Sequence, residues 1–201
     1  MSFLNYASRE ITCKLVYCGP GLCGKTTNVE HIHRRTTEAS RGKLVSLATE
    51  SERTLFFDFF PLTLGRLRGF DVRFHLYTVP GQVFYRASRS LILRGVDGIV
   101  FVADSQRERM EANLESIEDL HGCLRDNELD AGALPLVLQC NKQDHREAVA
   151  VDELQRELGL EHVPAISAVA VQGLGVLETF ERLAKAVVTQ LRAGAPAPTS
   201  P

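Results

Sequence analysis

Gly19-Pro20-Gly21-Leu22-Cys23-Gly24-Lys25-Thr26 matches G-x-x-x-x-G-K-T. It lies between an apolar, β-rich run, Ile11 to Cys18, and a helix-compatible run, Lys25 to Arg35. A glycine loop that must leave a strand and enter a helix admits few folds. Its glycines let successive amide hydrogens point inward around a β-phosphate, and the helix adds its positive N-terminal end. The expected phosphate contacts are Gly19, Gly21, Leu22, Cys23, Gly24, Lys25, Thr26 and Thr27. Lys25 is placed to reach the β- and γ-phosphates, and Thr26 to offer a hydroxyl to Mg²⁺ bridging them. A chance glycine-rich turn is the plain alternative, and the flanking strand and helix weigh against it. The motif alone does not separate ATP from GTP.

The rest of the chain repeats the alternation. Thr54 to Leu62 and Asp71 to Val79 read as an antiparallel hairpin turning around Gly65 and Gly69. Phe84 to Leu93, Arg109 to Leu124, Val151 to Leu158 and Gly175 to Leu191 read as helices. Gly98 to Ala103, Leu134 to Cys140 and Val163 to Ser167 read as buried strands, and Lys43 to Leu47 as an extra one. The expected fold is α/β, a mixed and mostly parallel sheet with helices on both faces and ligands at the carboxyl ends of the strands. One domain should occupy residues 1–192, with a disordered tail over 193–201.

Asn141-Lys142-Gln143-Asp144 follows directly on one of those buried strands. A carboxylate at Asp144 can accept both the ring N–H and the exocyclic amine of guanine, a two-point contact that adenine cannot offer. That selects GTP over ATP and argues against an ATP-dependent kinase. Lys142 can lay its stem over the base, and Asn141 can tie this loop to the phosphate loop. Ser167-Ala168-Val169 fits a loop backing the guanine, and equally an ordinary turn at a helix start.

Thr78-Val79-Pro80-Gly81-Gln82 ends a strand where a γ-phosphate sensor belongs, with the Gly81 amide free to donate and Gln82 placed to orient water. The usual pattern has Asp where Thr78 stands, and Asp58 is a candidate substitute. Thr54, with Thr49 as the alternative, is the candidate for a second hydroxyl on Mg²⁺. Arg53 reads either as an arginine finger supplied in cis or as a solvated loop cation. His31 and His33, two apart on a helix, point to different sides and read as surface residues. Cys23, in an electropositive loop, should have a lowered pKa, yet a small loop-filling residue is the better reading. Phe56, Phe57, Phe59 and Phe60 read mainly as core.

Composition sets limits on partners. The 23 basic and 25 acidic residues leave a net charge of −2, so no general nucleic-acid affinity is expected. No apolar run approaches the length of a membrane span, and no Met-Gly start or C-terminal lipidation Cys is present, so a cytosolic protein without its own membrane anchor is expected. The five cysteines contain no Cys-x-x-Cys pair and read as reduced thiols.

Together these residues resemble the bacterial small Ras-like GTPases of the mutual gliding-motility protein A family, over nearly the whole chain. The resemblance is carried by Ser2-Phe3 with Asn5-Tyr6, the loop from Gly19, Arg53 to Phe59, Phe74 to Gln82, and Phe101 to Ser105. Thr78 in place of Asp is itself a trait of that family. The resemblance implies a Ras-like G domain, GTP and GDP with Mg²⁺ as ligands, Arg53 as the intrinsic finger and Gln82 as the water-positioning residue. It also implies a dimeric roadblock-fold activating partner, polarity or motility effectors, and recruitment to a cell pole by partners. A GTP-binding scaffold without turnover is the competing reading; intact Arg53 and Gln82 weigh against it.

Overall fold

The computed structural model describes residues 3–37, 42, 45–48, 54–79 and 86–194. Among these residues eight strands form one sheet: β1 (Phe3–Asn5), β2 (Glu10–Cys18), β3 (Val45–Ala48), β4 (Thr54–Leu67), β5 (Phe70–Thr78), β6 (Gly98–Asp104), β7 (Leu136–Asn141) and β8 (Ala165–Ser167). Five α-helices accompany them: α1 (Lys25–Arg35), α2 (Arg86–Leu93), α3 (Met110–Asp126), α4 (Val151–Glu157) and α5 (Val176–Gly194).

The strand order is β3-β4-β5-β2-β6-β7-β8, with β1 lying antiparallel against the first residues of β2. β5, β2, β6, β7 and β8 run parallel, while β4 is antiparallel to β5 and β3 to β4. After β2 the chain passes to the far edge at β3, returns inward through β4 to β5 beside β2, and then crosses to build the other half outward from β6. That reversal opens a crevice beyond the carboxyl end of β2, where α/β sheets take their ligands.

The side-chain pattern explains the layering. All seven residues of β6 are buried, as a parallel strand covered on both faces requires. One face of the sheet packs on α1 and α5 through Val29, Ile32, Val176, Phe180, Leu183 and Val187. The other packs on α2, α3 and α4 through Ile92, Leu93, Ile117, Leu120 and Leu154. Gly98 opens β6 directly beneath α5: a Cβ there would sit 2.7 Å from Val187 Cγ2 and 3.0 Å from Leu183 Cδ1. Gly98→Ala is therefore expected to push α5 from the sheet and cost about 1–3 kcal/mol, read as a lower unfolding midpoint in urea at unchanged slope.

The hairpin turns later and more tightly than the sequence suggests. β4 continues to Leu67, which pairs with Phe70, so the turn is Arg68-Gly69 alone, with φ of 50° and 84°. Two positive φ values are those of a two-residue turn matched to strand twist. Gly65 instead falls where the register shifts between Thr63 and Arg66, inside the strand. The extra strand exists, as β3. Pro61 lies past Phe59, the last β4 residue paired with β3 among the described residues, and its carbonyl accepts the Gly42 amide at 2.9 Å. α5 continues to Gly194, past the expected start of the tail, and residues 195–201 lie outside the described residues. Among the described residues no helix is long and apolar enough to cross a membrane.

Candidate functional site

The phosphate loop leaves β2 at Cys18 and enters α1 at Lys25. Gly24 has φ 103°, a left-handed value that L side chains rarely adopt, and a Cβ on it would collide with the side-chain nitrogen of Asn141. Gly24 caps α1 without a side-chain hydrogen bond, and the first turn, which holds Lys25, Thr26 and Thr27, contains no acid. A helix start that carries no acid favours an anion beside it. Lys25 is only 8% exposed, and its ammonium donates to the carbonyls of Gly19 at 3.0 Å and Pro20 at 2.6 Å. A buried cation stationed over an uncapped helix start is the electrostatic arrangement that a polyphosphate matches. Leu22, at φ 66°, stands exposed at the loop tip.

Asn141 closes β7 and faces this loop. Its Nδ2 donates to the Cys23 carbonyl at 2.7 Å, and its Oδ1 accepts the Ala170 amide at 2.8 Å. One buried side chain therefore ties together the phosphate loop, the Asn-Lys-Gln-Asp loop and the loop after β8. Lys142, at φ 66°, donates to the Asp104 carboxylate at 2.5 Å and to Gln106 Oε1 at 3.1 Å. Its ammonium is thereby fixed at the end of β6. The Gln143 amide donates to the Ala168 carbonyl at 3.1 Å, and its side chain donates to Ser105 Oγ at 2.7 Å and to the Val149 carbonyl at 2.9 Å. Asp144 is exposed. Ser167 is exposed too, whereas Ala168 and Val169 are buried, the Ala168 amide donating to the Cys140 carbonyl at 2.9 Å.

Three residues here have no counterpart among the sequence-derived candidates. Asp104, at the end of β6 beside Asn141, is fully buried and lies 3.8 Å from Arg109 Nε besides binding Lys142. Arg109 donates to the Gly21 carbonyl at 3.0 Å, and Ser105 binds Gln143 as above. An acid ending an apolar strand beside Asn-Lys-Gln-Asp was the available signal for Asp104; for Arg109 there was none.

Two expectations are corrected. Cys23 is fully buried, and desolvation pushes its thiol up, with Lys25 only partly opposing, so it is not an activated thiol. Burial likewise raises Cys18 and Cys140, each to about 12. His31 is half-buried rather than a free surface residue, its imidazole lying against Gly173.

Thr78, 1% exposed, ends β5 paired with Tyr17, and the Val79 amide donates to the Tyr17 carbonyl at 3.1 Å, which brings this segment alongside the start of the phosphate loop. Thr54 opens β4 and Asp58 pairs with Ser46, but their side chains lie outside the described residues, as do those of Phe56, Phe57, Phe59 and Phe60. Thr49, Arg53, Gly81 and Gln82 lie outside them altogether.

The model of the ADP-ribosylation factor family matches residues 2–187. The chain belongs to that family. It is accordingly a small GTPase, which binds guanine nucleotide and hydrolyses GTP. The chain is 58% identical over 194 residues to the mutual gliding-motility protein MglA of Myxococcus xanthus (strain DK1622), covering 96% of this chain and all of that protein. It is 32% identical over 139 residues to ADP-ribosylation factor-like protein 4D of Homo sapiens, 65% of each chain. It is 33% identical over 129 residues to human ADP-ribosylation factor-like protein 4A, 61% of each. The resemblance to the bacterial small Ras-like GTPases, drawn from motifs, thus extends over 96% of the chain. The small GTPase keeps its phosphate and Asn-Lys-Gln-Asp loops at one end of the sheet, joined by Asn141.

Proposed function

We propose that this small GTPase is a slow switch, accelerated by a dimeric roadblock-fold partner, that sets cell polarity and drives gliding or pilus-based movement. The observation that carries the switch reading is the Asn141 tie, 2.7 Å to Cys23 and 2.8 Å to Ala170, which holds phosphate-reading and base-reading loops in one frame. The motility reading rests on the identity to the Myxococcus xanthus protein, whose name refers to gliding motility. The protein acts in the cytosol and reaches a cell pole through partners.

In this reading the amides of Gly19 and of Gly21 to Thr27, together with the Lys25 ammonium, bind the phosphates. Asp144 reads the guanine edge, Lys142 covers one face of the base, and Ser167, Ala168 and Val169 back it. Thr26 and Thr54 would hold Mg²⁺, which would supply charge neutralisation at the phosphates. Gly81 donates to the γ-phosphate, Gln82 orients the attacking water, and Arg53 meets the charge that develops on the transferring group. Loss of the γ-phosphate releases the segments carrying Arg53, Thr54, Gly81 and Gln82, and effectors read that change.

Single-turnover cleavage of GTP and ATP, with and without a roadblock-fold partner from the same organism, tests the proposal. Slow GTP cleavage that the partner accelerates supports it; tight GTP binding without cleavage in either condition favours a scaffold. Arg53→Ala and Gln82→Ala should each leave nucleotide affinity within a few-fold while lowering partner-stimulated turnover by roughly a hundred-fold. Undiminished stimulated turnover removes that residue from the mechanism.

A further inference from the structure

β7 presents two amide side chains on the α1 and α5 face, at Asn141 and, two residues earlier, Gln139. Asn141 forms the tie described above. Gln139 forms a second one, deeper in the fold. Its Nε2 donates at 2.9 Å to Asn28 Oδ1 and at 2.9 Å to Thr179 Oγ1. Asn28 in turn donates to the Gly24 carbonyl at 2.9 Å, which is the cap of the helix carrying Lys25 and Thr26. Thr179 donates at 2.6 Å to the carbonyl of Gly175, and Gly175 packs directly against the Ser167 carbonyl. The two ties run side by side from the phosphate loop to the loop after β8.

Asn28, Gln139 and Thr179 are each fully buried, in an apolar layer that includes Val29, Ile32, Val137, Val176 and Phe180. Gln139 Oε1 has no hydrogen-bond partner there. A polar cluster with a buried acceptor unmatched costs stability, and three well-packed apolar side chains would serve the core better. What apolar groups cannot do is fix the start of α1 and the start of α5 in one register. We infer that Gln139 is a positioning residue for the nucleotide: with Asn28 and Thr179 it forms an inner rung that holds the phosphate-binding start of α1 against the guanine-side loop. The inference rests on the guanine-nucleotide binding of the family.

The full chain and three variants, loaded with fluorescently labelled GDP and chased with excess GDP, test the rung. Gln139→Leu should release nucleotide roughly ten-fold faster, and Thr179→Val several-fold faster, the scale of one buried hydrogen bond lost. Thr179→Ser, which keeps the hydroxyl, should release at the wild-type rate. The thermal midpoint of nucleotide-free Gln139→Leu should stay level or rise, a result that a merely stabilising role would not give. Unchanged release from Gln139→Leu overturns the inference, as does equal acceleration by Thr179→Ser and Thr179→Val. If Gln139→Leu does not fold, the pair at Thr179 decides alone. A wild-type chain that fails to take up the labelled GDP brings down the nucleotide reading and the rung together, whereas wild-type uptake with unaltered variants brings down only the rung.

Discussion

Asp144→Ala is expected to lower the preference for GTP over ATP by about a hundred-fold or more, measured as competition of each nucleotide against labelled GDP. The carboxylate is the one group in the loop able to accept two guanine hydrogens at once, and charge-assisted bonds of this kind are roughly twice as strong as neutral ones. Losing both removes most of the discrimination, because the other base contacts of the proposed site, the Lys142 stem and the backing loop, would meet any purine alike. The fold should be indifferent, since Asp144 is exposed and Asn141 rather than Asp144 joins the loops. Retained selectivity in a folded Asp144→Ala protein would remove Asp144 from base reading.

Gly24→Ala is expected to abolish measurable nucleotide binding and to lower the thermal midpoint by about 5–10 °C. Two costs add. At φ 103° an L side chain is strained, and the new methyl group meets the Asn141 amide that bonds the Cys23 carbonyl. Relief requires either shifting the loop or breaking the Asn141 tie, and in the proposed reading each defeats phosphate binding. A total of about 2–3 kcal/mol corresponds to that shift for a domain of this size. Calorimetric titration with GDP and a thermal melt check both parts, and near wild-type affinity would mean that the loop does not require this geometry.

The position of the two loops was legible because each is contiguous in the sequence. Gly19 to Thr26 and Asn141 to Asp144 each carry their residues within one turn, so spacing alone places the groups on a strand end. Helix faces such as Val176, Phe180, Leu183 and Val187 were equally readable from their period and do pack on the sheet. The hairpin turn was misplaced because Gly65 and Gly69 look alike as turn residues. Only the pairing of Leu67 with Phe70 shows that one sits in a turn and the other in a register shift. The Cys23 thiol was misjudged for a related reason: the charge beside it is visible in the sequence, but its burial is not, and desolvation is the larger effect.

The sequence by itself determined the local units of this protein: a strand, a phosphate loop and a helix in that order, an acid fit for guanine after another strand, and the alternation that makes a layered sheet. Only the tertiary structure decided which of those units touch. Arg109 reaches Gly21 across 88 residues, Gln139 reaches Asn28 across 111 and Asn141 reaches Cys23 across 118. These contacts depend on which strands are neighbours and in what register, a property set by packing the whole sheet between two helical layers. Period and propensity fix how a segment folds on itself, whereas the partner of a buried amide is fixed only when every strand between them has taken its place.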